Sequence, residues 1–174
     1  MVNTRFSTSL HILTALAGTP DDERHVVPSA ELASRVGSHP AAVRRLLAEL
    51  KAAELVDVVR GPGGGFRLAV DPGLIRLDRL AEAVGEGPAF SIHDPGVSDT
   101  VETDFHVPAA IHSVNAAVTD RMRTALSDFT LADVVEQASL RRDLAKLVAS
   151  GLSDEEIRAA YRISGGRLVR RDER

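Results

Sequence analysis

Arginines flank a glycine-rich run in the first half of the chain, and both residue types suit contact with nucleic acid. Arg60 precedes residues 61–65 and Arg67 follows them, while Arg44 and Arg45 stand together earlier in the chain. A guanidinium offers a planar fork of donors that matches phosphate oxygens and the O6 and N7 atoms of guanine. Glycines let the backbone approach a partner closely. These residues predict a DNA contact surface, in which Arg45 reads a base and Arg60 contacts phosphate or a narrow minor groove.

The glycine run does not fit a nucleotide-binding loop. No lysine follows it, and Phe66 occupies the place of the third glycine in G-x-G-x-x-G. The run also leads into a predicted strand, whereas nucleotide loops open a helix. The 174 residues include no cysteine, which excludes disulfides, thiolate nucleophiles and cysteine-ligated zinc or iron–sulfur centres. No serine lies in a nucleophile-elbow context, so we expect neither an enzyme nor a bound cofactor.

Three of the six histidines are weak candidates for a metal site, because acidic residues surround them in the sequence. They are His93, His106 and His112, and their neighbours include Asp94 and Asp104. None has the H-E-x-x-H spacing that places two imidazoles on one helix face. Solvated loop histidines are therefore the favoured interpretation, and no bound metal is expected.

Hydrophobic spacing predicts the helices that position the arginines. Apolar residues at i, i+4 and i+7 predict a helix over residues 6–17. A second, short helix follows Ser29, which is the expected N-cap, and residues 37–39 form a tight turn. A third helix is expected from Pro40, since proline suits the first turn of a helix.

The third predicted helix buries one face and exposes the other. Its apolar residues fall at i, i+3, i+4 and i+7, namely Val43, Leu46, Leu47 and Leu50. At about 100° per residue, Arg45 points away from this stripe, between Ala41 and Ala48. The alternative is an exposed Arg45 that pairs with Glu49 at i+4. With the turn and the glycine run, the predicted DNA-contacting residues are Ser38, His39, Ala41, Arg44, Arg45, Arg60, Gly61, Gly63, Gly64, Gly65 and Arg67.

Two short predicted strands, residues 55–59 and 66–69, enclose the glycine run as a β-hairpin, and a further helix follows over residues 77–84. The order of helix, helix–turn–helix and hairpin is typical of a winged helix. In that fold the helix after the turn enters the major groove, and the hairpin, or wing, reaches the backbone or minor groove. A helix–turn–helix without the hairpin would be weak evidence for nucleic-acid binding.

For Arg67, a contact with DNA and a solvated position on the hairpin explain the residue equally well.

The second half of the chain predicts a loop and a long helix. Residues 85–106 are rich in glycine, proline and acidic residues, as in a loop. A helix over residues 108–127 would be about 30 Å long, more than the small domain can cover alone. Its apolar residues keep helical spacing and form the stripe that the small domain would leave uncovered: Ile111, Val114, Val118, Met122, Ala125 and Phe129.

Short helices are expected at the C-terminus. A capping box at Thr130 predicts one, residues 140–148 a second and a capping box at Ser153 a third, with a loose basic tail after Ser164. The predicted fold is mainly α with a small β-hairpin. It comprises a winged helix–turn–helix domain (residues 1–84), an acidic loop (85–106), a dimerisation helix with a following short helix (107–136), and a C-terminal helical extension with a basic tail (137–174).

Charge and composition fit a cytoplasmic, aliphatic-cored protein. The net charge is −4, yet residues 1–80 hold 10 Lys/Arg and 9 Asp/Glu, whereas residues 81–130 hold 2 and 8. A locally basic surface is therefore compatible with overall acidity. No apolar run approaches the roughly 20 residues that span a bilayer, and the first 18 residues lack the pattern of a signal peptide.

The segment VDVVRGPGGGFRL, residues 56–68, resembles the R-G-P-G-G-G-[YF]-x-L motif of the Rrf-type family of bacterial winged-helix regulators, which includes IscR, NsrR and CymR. The following AVDPGLIRLDRLAEAV is also similar to that family. NTRFSTSLHILTALA, HPAAVRRLLAELKAAELV, FSIHD and TLADV resemble its YwnA-like branch most. The resemblance covers residues 1–136. It implies a homodimer joined through the long helix, base reading by residues 40–50, minor-groove insertion of the wing with Arg60, and a roughly palindromic operator.

The chain departs from this family at three places. Many members hold an iron–sulfur cluster through three cysteines in the loop before the long helix, and residues 89–107 contain none. The branch often has a Cys-Pro pair where this chain has residues 106–108, His-Val-Pro. Glu54 replaces a helix-ending glycine, which predicts strain if its φ is positive. We expect a DNA-binding repressor with an unidentified small-molecule effector. The alternative is a winged-helix module that binds a ligand or protein and has lost specific DNA binding.

Overall fold

The computed structural model describes residues 4–18, 26–85, 106–164 and 167–171, without the side chains of residues 106–108. Over these residues the fold is mainly α with small antiparallel hairpins, which confirms the predicted fold class. The elements are α1 (Arg5–Ala17), α2 (Ser29–Val36), α3 (Pro40–Ala52), β1 (Val56–Val59), β2 (Gly65–Leu68), a 3-10 turn (Pro72–Leu74), α4 (Leu77–Ala83), α5 (His106–Ser127), α6 (Leu131–Ala149), α7 (Asp154–Ala160), β3 (Tyr161–Ser164) and β4 (Arg167–Arg170).

An aliphatic core joins α1, α2, α3, the first hairpin, α4 and the start of α6. Leucine, isoleucine, valine and alanine supply its buried side chains, among them Ile12, Leu32, Leu47, Leu80 and Leu131. Burying each large aliphatic side chain contributes about 1.5–3 kcal/mol. Because α6 contributes Leu131 to this core, it is fixed to the helices that carry the arginines.

The turn between α2 and α3 is built from local backbone bonds. Gly37 has a left-handed φ of 63°, and its N–H donates to the carbonyl oxygens of Ala33 and Ser34. Pro40 occupies the first turn of α3. Ser29 is the first residue of α2 rather than its N-cap, which is Pro28. The predicted cap was therefore wrong by one residue, and proline's fixed extended backbone sets the start of this helix.

The wing is a β-hairpin with a third extended segment beside it. In β1 and β2, Val56 lies opposite Leu68 and Val59 opposite Gly65. Val27, just before α2, exchanges two backbone bonds of 2.9 Å with Phe66. These bonds attach the free edge of β2 to the segment that precedes α2, and so attach the wing to the helix–turn–helix. Both strands begin one residue away from the predicted positions.

Helices α5 and α6 differ from the prediction in their bounds. α5 begins at His106, two residues before the predicted start, because Pro108 is tolerated within the first turn. The capping box of Thr130 and Asp133 opens α6 as predicted. Instead of ending early, α6 continues through 19 residues. The prediction of two short helices, one from Thr130 and one over residues 140–148, was wrong. They form a single helix, since neither glycine nor proline interrupts residues 131–149.

The basic tail after Ser164, predicted to be loose, instead supplies β4, which pairs with β3 just before it to form a second hairpin. The amide of Gln137 on α6 donates to the Leu168 carbonyl at 3.1 Å and accepts from the Leu168 N–H at 2.9 Å. Arg167 pairs with Asp133 at 3.2 Å and Arg170 with Asp143 at 3.4 Å. Four-residue strands have weak periodicity, and these anchoring contacts span about 30 residues, so the sequence pattern did not reveal this hairpin. In the described residues, no helix combines the length and apolarity that a membrane span requires.

Candidate nucleic-acid interface

The outer face of α3 carries the arginines that the sequence singled out. The four predicted apolar residues are buried in the core: Val43, Leu46, Leu47 and Leu50. Ala41, Arg44 and Arg45 lie on the exposed face. Ala41 adds almost no side chain, so a groove wall could come close to the helix beside the guanidinium of Arg45.

Arg45 does not pair with Glu49, so that predicted alternative was wrong. Glu49 instead accepts an ion-paired hydrogen bond from Arg5 at 2.5 Å. Within the described part of the chain, Arg44, Arg45 and Arg60 have no hydrogen-bond or ion-pair partner. Unpaired guanidinium groups on the surface are free to contact phosphates or base edges.

The turn residues before α3 have local structural tasks. Ser38 is half-buried, and His39 is exposed. The Nδ1 atom of His39 accepts from the Ala41 N–H at 3.2 Å and caps the helix. The other ring nitrogen therefore carries the proton when the imidazole is neutral. His39 could donate from that nitrogen to a phosphate without giving up its capping bond.

The glycines of the wing serve two different structural needs. Gly61 and Gly63 have φ values of 105° and 75°, with open space around them. A Cβ on Gly64 would lie 2.4 Å from the Val59 carbonyl oxygen, and one on Gly65 would lie 2.5 Å from that of Val27. Backbone conformation and packing inside the wing thus account for these glycines. Their predicted contact with DNA is a separate matter, which rests on the exposure of the tip.

The two wing arginines differ in their surroundings. Arg60 is exposed and unpaired within the described residues. Arg67 lies opposite Asp57 in the hairpin and pairs with it at 3.4 Å, with both side chains about half exposed. Such an exposed pair contributes at most about 1 kcal/mol, so a phosphate could replace Asp57 as the partner of Arg67.

The predicted apolar stripe of α5 is largely uncovered. Val114 is 65% exposed and Ile111 48%, while Met122 and Phe129 are about two-fifths exposed. Ala125 is also exposed and Val118 is half-buried. The Arg167 guanidinium lies 4.9 Å from the centre of the Phe129 ring, a cation–π contact.

The weak metal candidates gain no support from the structure. His93 lies outside the described residues, and only the backbone of His106 is described. His112 is exposed on α5. Among the described residues, no three histidine or carboxylate side chains converge on one point.

Three site features were not predicted from sequence. Arg5 pairs with Glu49 across 44 positions, and Gln137 binds Leu168 across 31. Periodicity within one element carries no signal for contacts of that range. The Asp57–Arg67 pair could have been found, because hairpin register places these two residues opposite each other.

Residues 2–137 match the family model described as Rrf2, iron-dependent transcriptional regulator. The chain belongs to the Rrf2 family. The matched span includes α3, the wing and α5, which the sequence resemblance also covered. Members of this family are transcriptional regulators, and the protein is accordingly a DNA-binding transcriptional regulator. Assignment to the YwnA-like branch stays a prediction.

Individual relatives agree with this family. The IscR regulator of Vibrio parahaemolyticus is 28% identical over 143 residues, which cover 79% of this chain and 83% of that protein. Among solved structures, T. potens IscR has a TM-score of 0.57 at 24% identity, covering 79% of this chain and 88% of the other. CymR, the global cysteine regulator of B. subtilis, has a TM-score of 0.56 at 21% identity, covering 78% and 96%. The two structures share the fold of this chain.

The family description implies iron, and the residues of this chain do not fit a thiolate-bound iron–sulfur cluster. Such clusters are held mainly by cysteine thiolates, and the sequence contains no cysteine. The described residues also lack a group of three histidine or carboxylate ligands.

Proposed function

We propose that this Rrf2 protein is a homodimeric repressor that binds a roughly palindromic operator without an iron–sulfur cluster. The observation that carries the proposal is the outer face of α3, where Arg44 and Arg45 are exposed and unpaired while the opposite face is buried. A rigid helix with free guanidinium groups has the form required to read a major groove.

In the proposed complex α3 lies in the major groove and the wing reaches the minor groove. Arg45 would donate to the O6 and N7 atoms of a guanine, and Arg60 would enter the narrow groove beside the glycine tip. Ser38, His39 and Arg44 would hold the helix to the phosphates through side-chain or backbone donors.

The proposed dimer uses the exposed stripe of α5. A helix of 22 residues with uncovered Ile111, Val114 and Met122 leaves an apolar strip in contact with water. A second copy can cover that strip by an isologous contact, and the two-fold axis would place two α3 helices on two half-sites. An effector of small-molecule type is proposed to change the affinity for DNA, and the protein to act in the cytoplasm.

Footprinting on the chain's own promoter region tests the proposal. Wild-type protein should protect a site with dyad symmetry, and light scattering should give the mass of a dimer. Arg45→Ala and Arg60→Ala should each weaken specific binding by about 1–3 kcal/mol, the range for loss of a base or groove contact. Arg141→Ala, an exposed arginine on α6, is the matched control and should bind normally. Protection no stronger than on random DNA would refute the proposed function.

A second candidate is a winged-helix module that binds a protein or ligand and has lost specific DNA binding; the net charge of −4 and the absence of cysteine motivate it. Salt dependence separates the two functions. For DNA binding, the logarithm of the affinity should fall with the logarithm of salt by about 0.9 per phosphate contact. A module without DNA function would show no such slope with any duplex.

A further inference from the structure

Arg5, the first residue of α1, connects α3 to the end of α4. Its Nε donates to the Val84 carbonyl oxygen at 2.9 Å, and its Nη2 bonds Glu49 Oε2 at 2.5 Å. Val84 is buried at 1% exposure, so its carbonyl is a fixed anchor. One guanidinium is therefore held by the core and at the same time holds a carboxylate of α3.

Glu49 is the acidic residue nearest to the unpaired arginines in the sequence of α3. It follows Arg45 by four positions, which places the two side chains one turn apart on neighbouring parts of the helix surface. A carboxylate there has two unfavourable options when DNA binds. It can pair with Arg45 and occupy the guanidinium, or it can remain free and repel the phosphates.

We propose that Arg5 is a positioning residue for DNA binding, because it holds Glu49 away from Arg45 and neutralises its charge. This inference rests on the proposed function of α3 as the DNA-reading helix. The Arg5 and Glu49 side chains are 37% and 30% exposed, so solvent weakens the ion pair taken alone. The bond from Arg5 to Val84 compensates, since it keeps the guanidinium in place for Glu49.

The expected effects separate positioning from simple structural support. Arg5→Ala should weaken operator binding about 5- to 10-fold, because Glu49 becomes free to pair with Arg45. Glu49→Gln should bind as well as wild type or up to about 3-fold more tightly. The double variant Arg5→Ala/Glu49→Gln should recover to within about 2-fold of Glu49→Gln, although it still lacks the bond to Val84. Arg45→Ala should cost less in the Arg5→Ala background than in wild type.

The test measures operator affinity for these variants, with thermal melting of each protein alongside. Recovery in the double variant supports the inference. A double variant that binds as poorly as Arg5→Ala would overturn it and assign Arg5 a structural role only. If Arg5→Ala fails to fold, Arg5→Lys replaces it, because lysine keeps the charge but cannot reach Val84 and Glu49 with a planar fork.

A non-sequence-specific duplex serves as a second ligand, because the charge of Glu49 acts on any phosphate backbone. The same order is expected there, with Glu49→Gln tightest and Arg5→Ala weakest. If wild type does not distinguish the operator from this duplex but the order holds, the proposed function fails and the role of Arg5 stands. If wild type distinguishes them and the order is absent, the role of Arg5 fails and the function stands.

Discussion

Replacing Glu54 by glycine should stabilise the protein, because the backbone at this position is left-handed. Glu54 has a φ of 59° and is the only residue other than glycine with a positive φ in the described part of the chain. It lies between α3 and β1, where its N–H donates to the Lys51 carbonyl oxygen at 3.0 Å. Its side chain is exposed and has no hydrogen-bond or ion-pair partner among the described residues. The substitution therefore removes strain and no side-chain bond.

The expected gain is the difference between two effects. The left-handed conformation costs a residue with a Cβ about 1–2 kcal/mol. Glycine offsets about 0.5–1 kcal/mol of this relief of strain, because its backbone loses more conformational entropy on folding. The net stabilisation is about 0.5–1 kcal/mol, which for a chain of this size raises Tm by about 1–4 °C.

Urea unfolding and thermal melting of four variants measure this effect. Ala53→Gly is the matched control, since Ala53 has an ordinary φ of −84° and should lose about 0.5–1 kcal/mol. Glu54→Gln removes the charge but keeps the strain, and should match wild type. Glu54→Asn should gain part of the effect, because asparagine tolerates this conformation. Equal loss of stability in Glu54→Gly and Ala53→Gly would refute the reasoning.

Two further predictions concern the wing and the C-terminal hairpin. Gly65→Ala should lower the free energy of unfolding by about 1–3 kcal/mol, because the new Cβ would lie 2.5 Å from the Val27 carbonyl oxygen. Hydrogen exchange at the Val27 and Phe66 amides should become faster, and unchanged exchange there would contradict the prediction. The Thr130 N–H and hydroxyl, followed by Arg167, lower the pKa of the Asp133 carboxyl. Asp133 should thus contribute stability above its ordinary pKa of about 4 and lose it as pH falls through the lowered value; urea unfolding between pH 2 and 5 should show a flatter pH dependence for Asp133→Asn, and identical slopes would exclude this role.

The sequence was sufficient for elements whose signals are local. The helical stripe of α3 correctly indicated which face is buried, because four large aliphatic residues repeat with the helix period. The condition stated for strain at Glu54, a positive φ, is met. Both capping boxes, at Thr130 and Ser153, open helices as predicted. Each of these features depends on residues within one or two turns of each other.

Local patterns of this kind do not predict contacts between residues that are far apart in the sequence. The sequence around Glu49 does not indicate that Arg5 is its partner. The four-residue spacing instead favours a pair between Glu49 and Arg45. The β3–β4 hairpin is short, and its stability comes from Gln137, Asp133 and Asp143 on α6. Tertiary contacts of this kind decide conformations that local propensity leaves open.

Overall acidity and DNA binding are compatible in this protein, because two carboxylates near the predicted interface are paired with arginines. Asp57 is paired with Arg67 on the wing, and Glu49 with Arg5 beside α3. The excess of acidic residues lies instead in residues 81–130. Exposed charges interact strongly only within a Debye length, about 8 Å at physiological ionic strength. In the proposed complex, a phosphate at α3 would therefore respond mainly to Arg44 and Arg45, whose charges have no partner among the described residues, and only weakly to the net charge of −4.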